Sequence, residues 1–214
     1  MTFPERHNWS LHSERRSGYP DENRTDTQWI YEQYLDTDAY EKAYAYALDV
    51  IRTSGGNSNI EKYIGLGSGL GRQTVVAIKT FQSLSQVWTV DSDIPIHPSV
   101  RKLGVPIEEI RLPIYQALHT MIGKPEASSI DMIAIENCET HDLMATCAES
   151  IALLRNVLAP GGSFVTFGQV NSLLYADKFC KYSQSAPGFT TIDLRTVSIQ
   201  GQHNYLKQLW IRSE

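Results

Sequence analysis

Four glycines at alternate positions have the clearest chemical meaning in this sequence. They lie between a short apolar run and a helical pattern, and they are Gly65, Gly67, Gly69 and Gly71. Glycines at such a junction let the backbone bend sharply and approach a ligand closely, while the helix N–H groups point at that ligand. The segment therefore predicts a site for a nucleotide-like ligand. The dinucleotide fingerprint GxGxxG does not fit, because its last glycine would fall on Leu70 or Arg72, and this spacing argues against NAD.

A second group of reactive residue types lies in residues 136–142, directly after a predicted buried strand. Glu136 and His141 are side chains there that could move a proton. Because ligands of open α/β sheets bind outside the carboxyl ends of the strands, both would face a reacting group in a doubly wound sheet. A structural alternative stays open for each residue. His141 could lie in the loop or at the start of the next helix, and Glu136 could pair with another group near the buried strand.

These segments together resemble the class I S-adenosylmethionine-dependent methyltransferases. The glycine segment is similar to the family's first motif, an apolar strand followed by xGxGxG. Residues 87–91 are similar to its second strand, whose terminal acid, here Asp91, binds the ribose hydroxyls in the family. Three further segments are similar to the fourth strand, the turn before the fifth strand and the entry to the sixth, and they are residues 131–136, 158–164 and 187–189.

The resemblance covers roughly residues 58–214 and implies transfer of a methyl group from S-adenosyl-L-methionine to oxygen or nitrogen of a small-molecule acceptor. The residues it places around the cofactor are Gly65, Gly67, Ser68, Gly69 and Asp91. His141 and Glu136 are the candidate catalytic residues, since an acceptor that must lose a proton needs a base. The candidate substrate-binding residues are Asn137, Tyr115, His119 and Tyr34.

The sequence departs from the family pattern at the end of the first strand. The family's acid there, which contacts the amino group of the methionine part, aligns with Gly65, or with Tyr63 after a two-residue shift. Losing a charge-assisted hydrogen bond costs ~1.5–3 kcal/mol, so we expect weaker cofactor binding unless another acid substitutes. The alternative function is a methyltransferase-like protein without methyl transfer, which binds a partner through this fold or uses the cofactor non-reactively.

Metal dependence is the next question, because catechol-type members of the family hold magnesium on acids at the ends of the fourth and fifth strands. Glu136 could occupy one such position, but Cys138 falls where a further acid is needed. The fifth strand ends in residues 166–169, whose sequence TFGQ contains no carboxylate. Since Mg²⁺ seeks oxygen ligands, we predict a metal-independent enzyme with no metal site.

Alternating strand and helix patterns predict an α/β fold, a doubly wound, seven-stranded, mostly parallel sheet of the Rossmann-like methyltransferase type with N-terminal helices. The predicted strands are residues 61–66, 86–90, 110–112, 130–135, 163–167, 189–197 and 205–212. The predicted helices are one or two within residues 29–51, then residues 72–81, 143–158 and 173–182.

We expect an N-terminal arm and helical lid over residues 1–56 and a cofactor-binding α/β domain over residues 57–214. The tyrosines of the N-terminal helices could cover the acceptor or pack in the core, and both alternatives stay open.

Composition bears on the class of partner, on membrane spans and on the cellular location. The 214 residues are 42% hydrophobic, as in an ordinary globular protein, and their net charge of −5 with scattered basic residues disfavours a nucleic-acid partner. The apolar runs are far shorter than the ~20 residues that cross a membrane. Three cysteines (Cys138, Cys147 and Cys180) and an N-terminus without an apolar segment predict a cytoplasmic protein. A homodimer is compatible with the sequence.

Overall fold

The computed structural model describes residues 37–92, 94–136, 147–167, 188–193 and 206–213. Its helices are α1 (Thr37–Thr53), α2 (Arg72–Thr80), α3 (Ile114–Ile122) and α4 (Cys147–Val157), with a 3-10 turn at Val100–Lys102. Its strands are β1 (Lys62–Leu66), β2 (Gln86–Val90), β3 (Ile107–Ile110), β4 (Ile130–Glu136), β5 (Leu158–Phe167), β6 (Phe189–Asp193) and β7 (Leu206–Arg212).

The seven strands form one sheet in the order β3-β2-β1-β4-β5-β7-β6. The neighbours from β3 to β5 pair in parallel, and β7 runs antiparallel to both β5 and β6. The chain first builds outward from β1 to β3 and then crosses to β4 on the other side of β1. The crevice for a ligand is expected where this order reverses, at the carboxyl ends of β1 and β4. The predicted doubly wound, mostly parallel sheet is confirmed.

Two apolar clusters cover the two faces of the sheet, because successive strand residues point to opposite sides. Tyr63 packs on one face with residues of α1 and α2, such as Tyr44 and Val76. Its neighbour Ile64 packs on the other face with α3 and α4, represented by Leu118. Each large apolar side chain that is fully buried in this way contributes ~1.5–3 kcal/mol to folding. The two clusters therefore hold the strand ends, and the turns that follow them, at one rigid edge.

Helix α1 is the part of the predicted N-terminal helices that the structure describes. Its buried residues recur at helical spacing and pack toward α2 and β7; they are Ala43, Tyr44, Ala47 and Ile51. Tyr44 thus belongs to the core, whereas Tyr46 on the same helix is 41% exposed. The expected arm and lid over residues 1–56 stays a prediction. No helix among the described residues is long and apolar enough to cross a membrane.

Strand β3 begins earlier than the sequence predicts. It spans Ile107–Ile110 rather than residues 110–112, because β2 from Val87 to Val90 pairs with Ile107 to Ile110. Beyond Ile110 the chain turns into α3, which follows Pro113.

Strand β5 also begins earlier than predicted, at Leu158 instead of residue 163. Leu158 pairs with Ile130 of β4, so the predicted helix over residues 143–158 ends one residue sooner, at Val157. The register then shifts before Ser163 pairs with Met132. A Cβ on Gly162 would lie 2.8 Å from the Ile130 carbonyl oxygen, so a glycine permits this close approach.

The closing pair of strands is confirmed in β6 and β7, and residues 194–197 of the predicted range 189–197 lie outside the described residues. The predicted helix over residues 173–182 lies outside the described residues.

Candidate functional site

The carboxyl ends of three strands meet beside the glycine turn. Leu66, the last residue of β1, pairs with Val90 of β2 and with Ile135 of β4. The residues that follow these positions are the glycine turn, Asp91 and Glu136. The fold therefore brings the glycine turn, Asp91 and Glu136 to one edge of the sheet.

The glycine turn has a backbone conformation that depends on its glycines. Gly67, Gly69 and Gly71 have φ angles of 65°, 51° and 103°, in the region that other residues rarely adopt. A Cβ on Gly71 would lie 2.8 Å from Ile96 Cγ1, so the segment after β2 packs closely against the turn. A Cβ on Gly69 would meet nothing within 4 Å. The turn is therefore packed against the segment after β2 at Gly71 and has open space at Gly69. We call this part of the protein the cradle, because a ligand can approach the backbone there.

The start of α2 adds backbone donors to this cradle. Gly71 precedes the helix and supplies no side-chain cap, and the first turn of α2 contains no acidic residue. N–H groups at the start of a helix lack partners within the helix and favour a polar or anionic group nearby.

Ser68 ties the turn to strand β2. Its hydroxyl donates to the Gly65 carbonyl oxygen at 2.7 Å and accepts the Val90 N–H at 3.3 Å. Its own N–H donates to the Val90 carbonyl oxygen at 3.0 Å. The buried Ser68 side chain is therefore used within the protein, and its predicted contact with a cofactor stays a prediction.

Asp91 stands between the glycine turn and the loop that follows β2. Its Oδ2 accepts the Gly69 N–H at 3.0 Å, and its Oδ1 accepts the Ile94 N–H at 2.8 Å. These two bonds hold the half-buried Asp91 in a fixed orientation at the edge of the cradle. Its predicted ribose contact stays a prediction.

Gly65 occupies the position of the family's first-strand acid, and the structure leaves little room there. A Cβ would lie 3.1 Å from Ser68 Oγ, 3.2 Å from Gln73 Cδ and 3.3 Å from Tyr63 Cε1. These side chains would have to shift by a few tenths of an ångström to admit a Cβ. The glycine at position 65 therefore fits the close packing of Ser68, Gln73 and Tyr63.

Gln73 lies beside the glycine turn and was not among the residues predicted from the sequence. Its side chain is buried, and its Nε2 donates to the Leu66 carbonyl oxygen at 3.0 Å, where β1 passes into the glycine turn. The sequence feature that could have indicated it is a polar amide two residues after Gly71, at a position on the buried face of α2.

The candidate catalytic segment is described only at its start. Glu136 is the last residue of β4 and pairs with Phe167 at the end of β5. His141, Asn137 and Tyr34 lie outside the described residues, so their predicted roles stay predictions. Within the described ranges there is no group of three or more His, Cys, Asp or Glu side chains that could hold a metal ion.

Tyr115 and His119 lie on one face of α3, as their spacing predicts. Their ring centroids are 4.6 Å apart in an edge-to-face arrangement. Tyr115 is in the first turn of the helix, near the carboxyl end of β3, and is partly buried against the apolar cluster of that face. His119 is exposed one turn further from that edge, so Tyr115 is the better placed of the two candidate substrate contacts.

Comparisons with known proteins identify the fold. No protein-family model matches this sequence, and no curated protein matches it. The O-methyltransferase TomG of Streptomyces achromogenes, solved with S-adenosylmethionine, aligns with a TM-score of 0.62 at 12% identity, over 98% of this chain and 90% of its own. An O-methyltransferase of Bacillus cereus, solved with S-adenosylhomocysteine, aligns with a TM-score of 0.57 at 11% identity, over 96% and 90%. The chain has the class I S-adenosylmethionine-dependent methyltransferase fold.

Proposed function

From that fold, we propose that the chain is an S-adenosyl-L-methionine-dependent methyltransferase that acts on oxygen or nitrogen of a small-molecule acceptor. The observation that carries this proposal is the glycine turn at the reversal point of the sheet, with the Asp91 carboxylate bonded to Gly69 at its edge. Two proteins of the same fold, TomG and the Bacillus cereus enzyme, are O-methyltransferases solved with this cofactor or its demethylated product.

In this proposal the cofactor lies along the turn between β1 and α2. Asp91, which the Gly69 and Ile94 N–H groups orient, accepts hydrogen bonds from the ribose hydroxyls. The open space at Gly69 lets the ligand approach the backbone. The methionine end receives no carboxylate from position 65, so its amino group must bind backbone carbonyls or an acid from another segment.

The chain's main contribution to the reaction is positioning. Bound S-adenosylmethionine supplies an electrophilic methyl group. Holding the acceptor in line with that group removes much of the entropic cost of the encounter, and a base is needed only where the acceptor loses a proton. We assign that base to His141, which follows Glu136 by five residues in the sequence, and the acceptor is then a phenol, a carboxylic acid or an amine.

Metal independence is part of the proposal. The strand end beside Glu136 carries Thr166 and Phe167 of β5, and neither can supply a carboxylate. The small-molecule acceptor is favoured over nucleic acid because the net charge is −5. A cytoplasmic setting is favoured because an odd number of cysteines cannot all pair within one chain.

A second function is favoured by one observation, the close packing around Gly65 at the position where the family has the acid that holds the cofactor's amino group. In that case the chain binds the cofactor or a partner without methyl transfer.

Labelled methyl transfer separates the two functions. The purified protein is incubated with methyl-labelled S-adenosylmethionine and a cell extract, which is then divided into small-molecule, protein and nucleic-acid fractions. We expect label in the small-molecule fraction, and much less label when Asp91→Ala replaces the wild type at a low cofactor concentration. Tight binding of S-adenosylhomocysteine without transfer to any fraction would establish the non-transferring alternative.

A further inference from the structure

A chain of buried hydrogen bonds runs from helix α1 to the glycine turn. Tyr44 Oη lies 2.8 Å from Tyr63 Oη, and the Tyr63 hydroxyl donates to Gln73 Oε1 at 3.3 Å. The Gln73 amide then donates to the Leu66 carbonyl oxygen at 3.0 Å. The Tyr63 hydroxyl has one proton, which Gln73 receives, so Tyr44 must be the donor to Tyr63. The bonds therefore run in one direction, from Tyr44 to Leu66.

We propose that this chain, which we call the Tyr44–Tyr63–Gln73 relay, positions the glycine turn for cofactor binding. The inference rests on the proposed function, because it names how this protein shapes the same site. The three relay residues do not contact the cofactor in this proposal. They act through the backbone of Leu66 and Gly67.

Peptide planarity explains how the relay controls the turn. The carbonyl of Leu66 and the N–H of Gly67 belong to one planar trans peptide and point in opposite directions. When Gln73 holds the carbonyl, it also fixes the direction of the Gly67 N–H, the first backbone donor of the turn. This bond adds to the pairing of Leu66 with Val90 and Ile135 at the point where the strand ends. The next residue, Gly67, has a φ of 65° and lacks the steric restraint of a side chain, so the last peptide of the strand depends on such a bond for its orientation.

Burial indicates that the relay has a role beyond filling space. Tyr44 and Tyr63 are 0% exposed, and Gln73 is 1% exposed. A buried polar group stabilises a fold little compared with a well-packed apolar one, and it is costly when a partner is lost. Phenylalanine at both tyrosine positions would fill the same core beside Phe81, whose ring centroid lies 5.7 Å from that of Tyr44 and 6.1 Å from that of Tyr63. In this proposal the hydroxyls of Tyr44 and Tyr63 orient the Gln73 amide, which bonds to the Leu66 carbonyl oxygen.

The relay also accounts for the glycine at position 65. The Gln73 carboxamide lies 3.2 Å from the point where a side chain of residue 65 would begin. The neutral amide of Gln73 on α2 thus occupies the space next to the end of β1, and it holds the turn through its bond to the Leu66 carbonyl oxygen. Because Tyr44 is on α1, the packing of that helix is coupled to the shape of the turn.

Calorimetry with S-adenosylhomocysteine tests the relay in three variants, Gln73→Met, Tyr63→Phe and Tyr44→Phe. We expect Gln73→Met, which removes the bond to Leu66, and Tyr63→Phe, which removes the bond that orients the Gln73 amide, to weaken binding by about tenfold each. Tyr44→Phe should weaken binding by about threefold, because it leaves both hydrogen bonds of Gln73 in place. The Gln73→Met/Tyr63→Phe double variant should lose less than the product of the two single effects, since both break the same chain.

Two control variants keep the comparison specific. Tyr46→Phe removes an exposed hydroxyl from the same helix as Tyr44. Thr74→Val removes a buried hydroxyl next to Gln73 that has no hydrogen-bond partner within the described residues. Both should bind S-adenosylhomocysteine within about twofold of the wild type.

Hydrogen exchange on the ligand-free protein provides a readout that a merely structural role would not move. The amides of Ser68 and Gly69, which bond to Val90 and Asp91, should exchange faster in Gln73→Met while the amides of β4 exchange as before. A lower melting temperature with unchanged affinity and unchanged exchange at the turn would overturn the relay. If Gln73→Met does not fold, Tyr44→Phe decides by the same two readouts. If the wild type does not bind S-adenosylhomocysteine, the proposed function fails, and the exchange result alone supports or overturns the relay.

Discussion

The backbone N–H of Gly69 donates to the carboxylate of Asp91 at 3.0 Å, joining the turn after β1 to the end of β2. The acid predicted to bind the ribose therefore also shapes the turn that carries the cofactor. The second oxygen of Asp91 accepts a hydrogen bond from the Ile94 N–H, so one carboxylate binds both the glycine turn and the segment that follows β2.

Asp91→Ala should weaken the binding of S-adenosylhomocysteine by ~2–3 kcal/mol, because two charge-assisted bonds to the ribose are lost. The free energy of unfolding should also fall, by ~1–2 kcal/mol, since Gly69 and Ile94 lose their acceptor. Calorimetry and denaturant unfolding measure the two effects separately. Asp49→Ala, which removes an exposed acid paired with Arg52 on α1, is the matched control and should leave the affinity unchanged. Wild-type affinity in Asp91→Ala would move the ribose contact elsewhere, with Asp93 as the next candidate.

Gly65→Asp, which restores the family's acid, should lower cofactor affinity instead of raising it. The new side chain would start 3.1–3.3 Å from Ser68, Gln73 and Tyr63 and would displace them. Gly65→Ala should already destabilise the protein by ~1–3 kcal/mol, the usual cost of overpacking. Gly123→Ala is the control, because the nearest atom to its Cβ would be the Thr120 carbonyl oxygen at 3.6 Å. Tighter binding of S-adenosylhomocysteine by Gly65→Asp would show that the space is available and that this reading of the packing is wrong.

The sequence predicted those features of the site that are set by residues adjacent to one another along the chain. Strand β2 was predicted with its observed bounds, and Asp91 was placed at its end, because apolar runs and glycine turns are properties of short segments. The role of Gln73 could not be predicted, since its bond to Leu66 depends on how α2 packs against β1. The early starts of β3 and β5 were missed for a similar reason. Both are set by pairing with β2 and β4, which no spacing within the segment reveals.

His141→Ala should lower the turnover number by ~10²–10⁴-fold, the usual effect of removing a general base, without changing cofactor affinity. A neutral imidazole can accept the proton that the acceptor loses. Single-turnover kinetics across about pH 5.5 to 9, corrected for folded protein, measure this effect. If His141 only caps or packs the next helix, the substitution costs ~1 kcal/mol of stability and leaves the rate and its pH profile normal. That result would leave a site that acts by proximity, with Glu136 as the next residue to substitute.

Methyl transfer should survive dialysis against EDTA, because the described residues at the ends of β4 and β5 offer at most one acid, Glu136. Mg²⁺ requires several oxygen ligands, and one carboxylate does not hold it in a dedicated site. The rate is compared before chelation, after chelation and after addition of Mg²⁺. Complete loss of activity with EDTA and full recovery with Mg²⁺ would show that other residues complete a metal site.

Ligand-dependent stabilisation of the wild-type protein tests the central claim most directly, because a ligand raises the melting temperature only when it binds the folded state. The measurement is thermal unfolding with S-adenosylmethionine, S-adenosylhomocysteine, NAD or NADP, each at the same concentration. The glycine spacing and Asp91 predict a higher melting temperature with the first two and no change with either dinucleotide. At about 100 times the dissociation constant the stabilisation should reach ~2.7 kcal/mol. Stabilisation by NAD or NADP, with none from S-adenosylmethionine or S-adenosylhomocysteine, would contradict the assignment of this turn to a methyl-transfer cofactor.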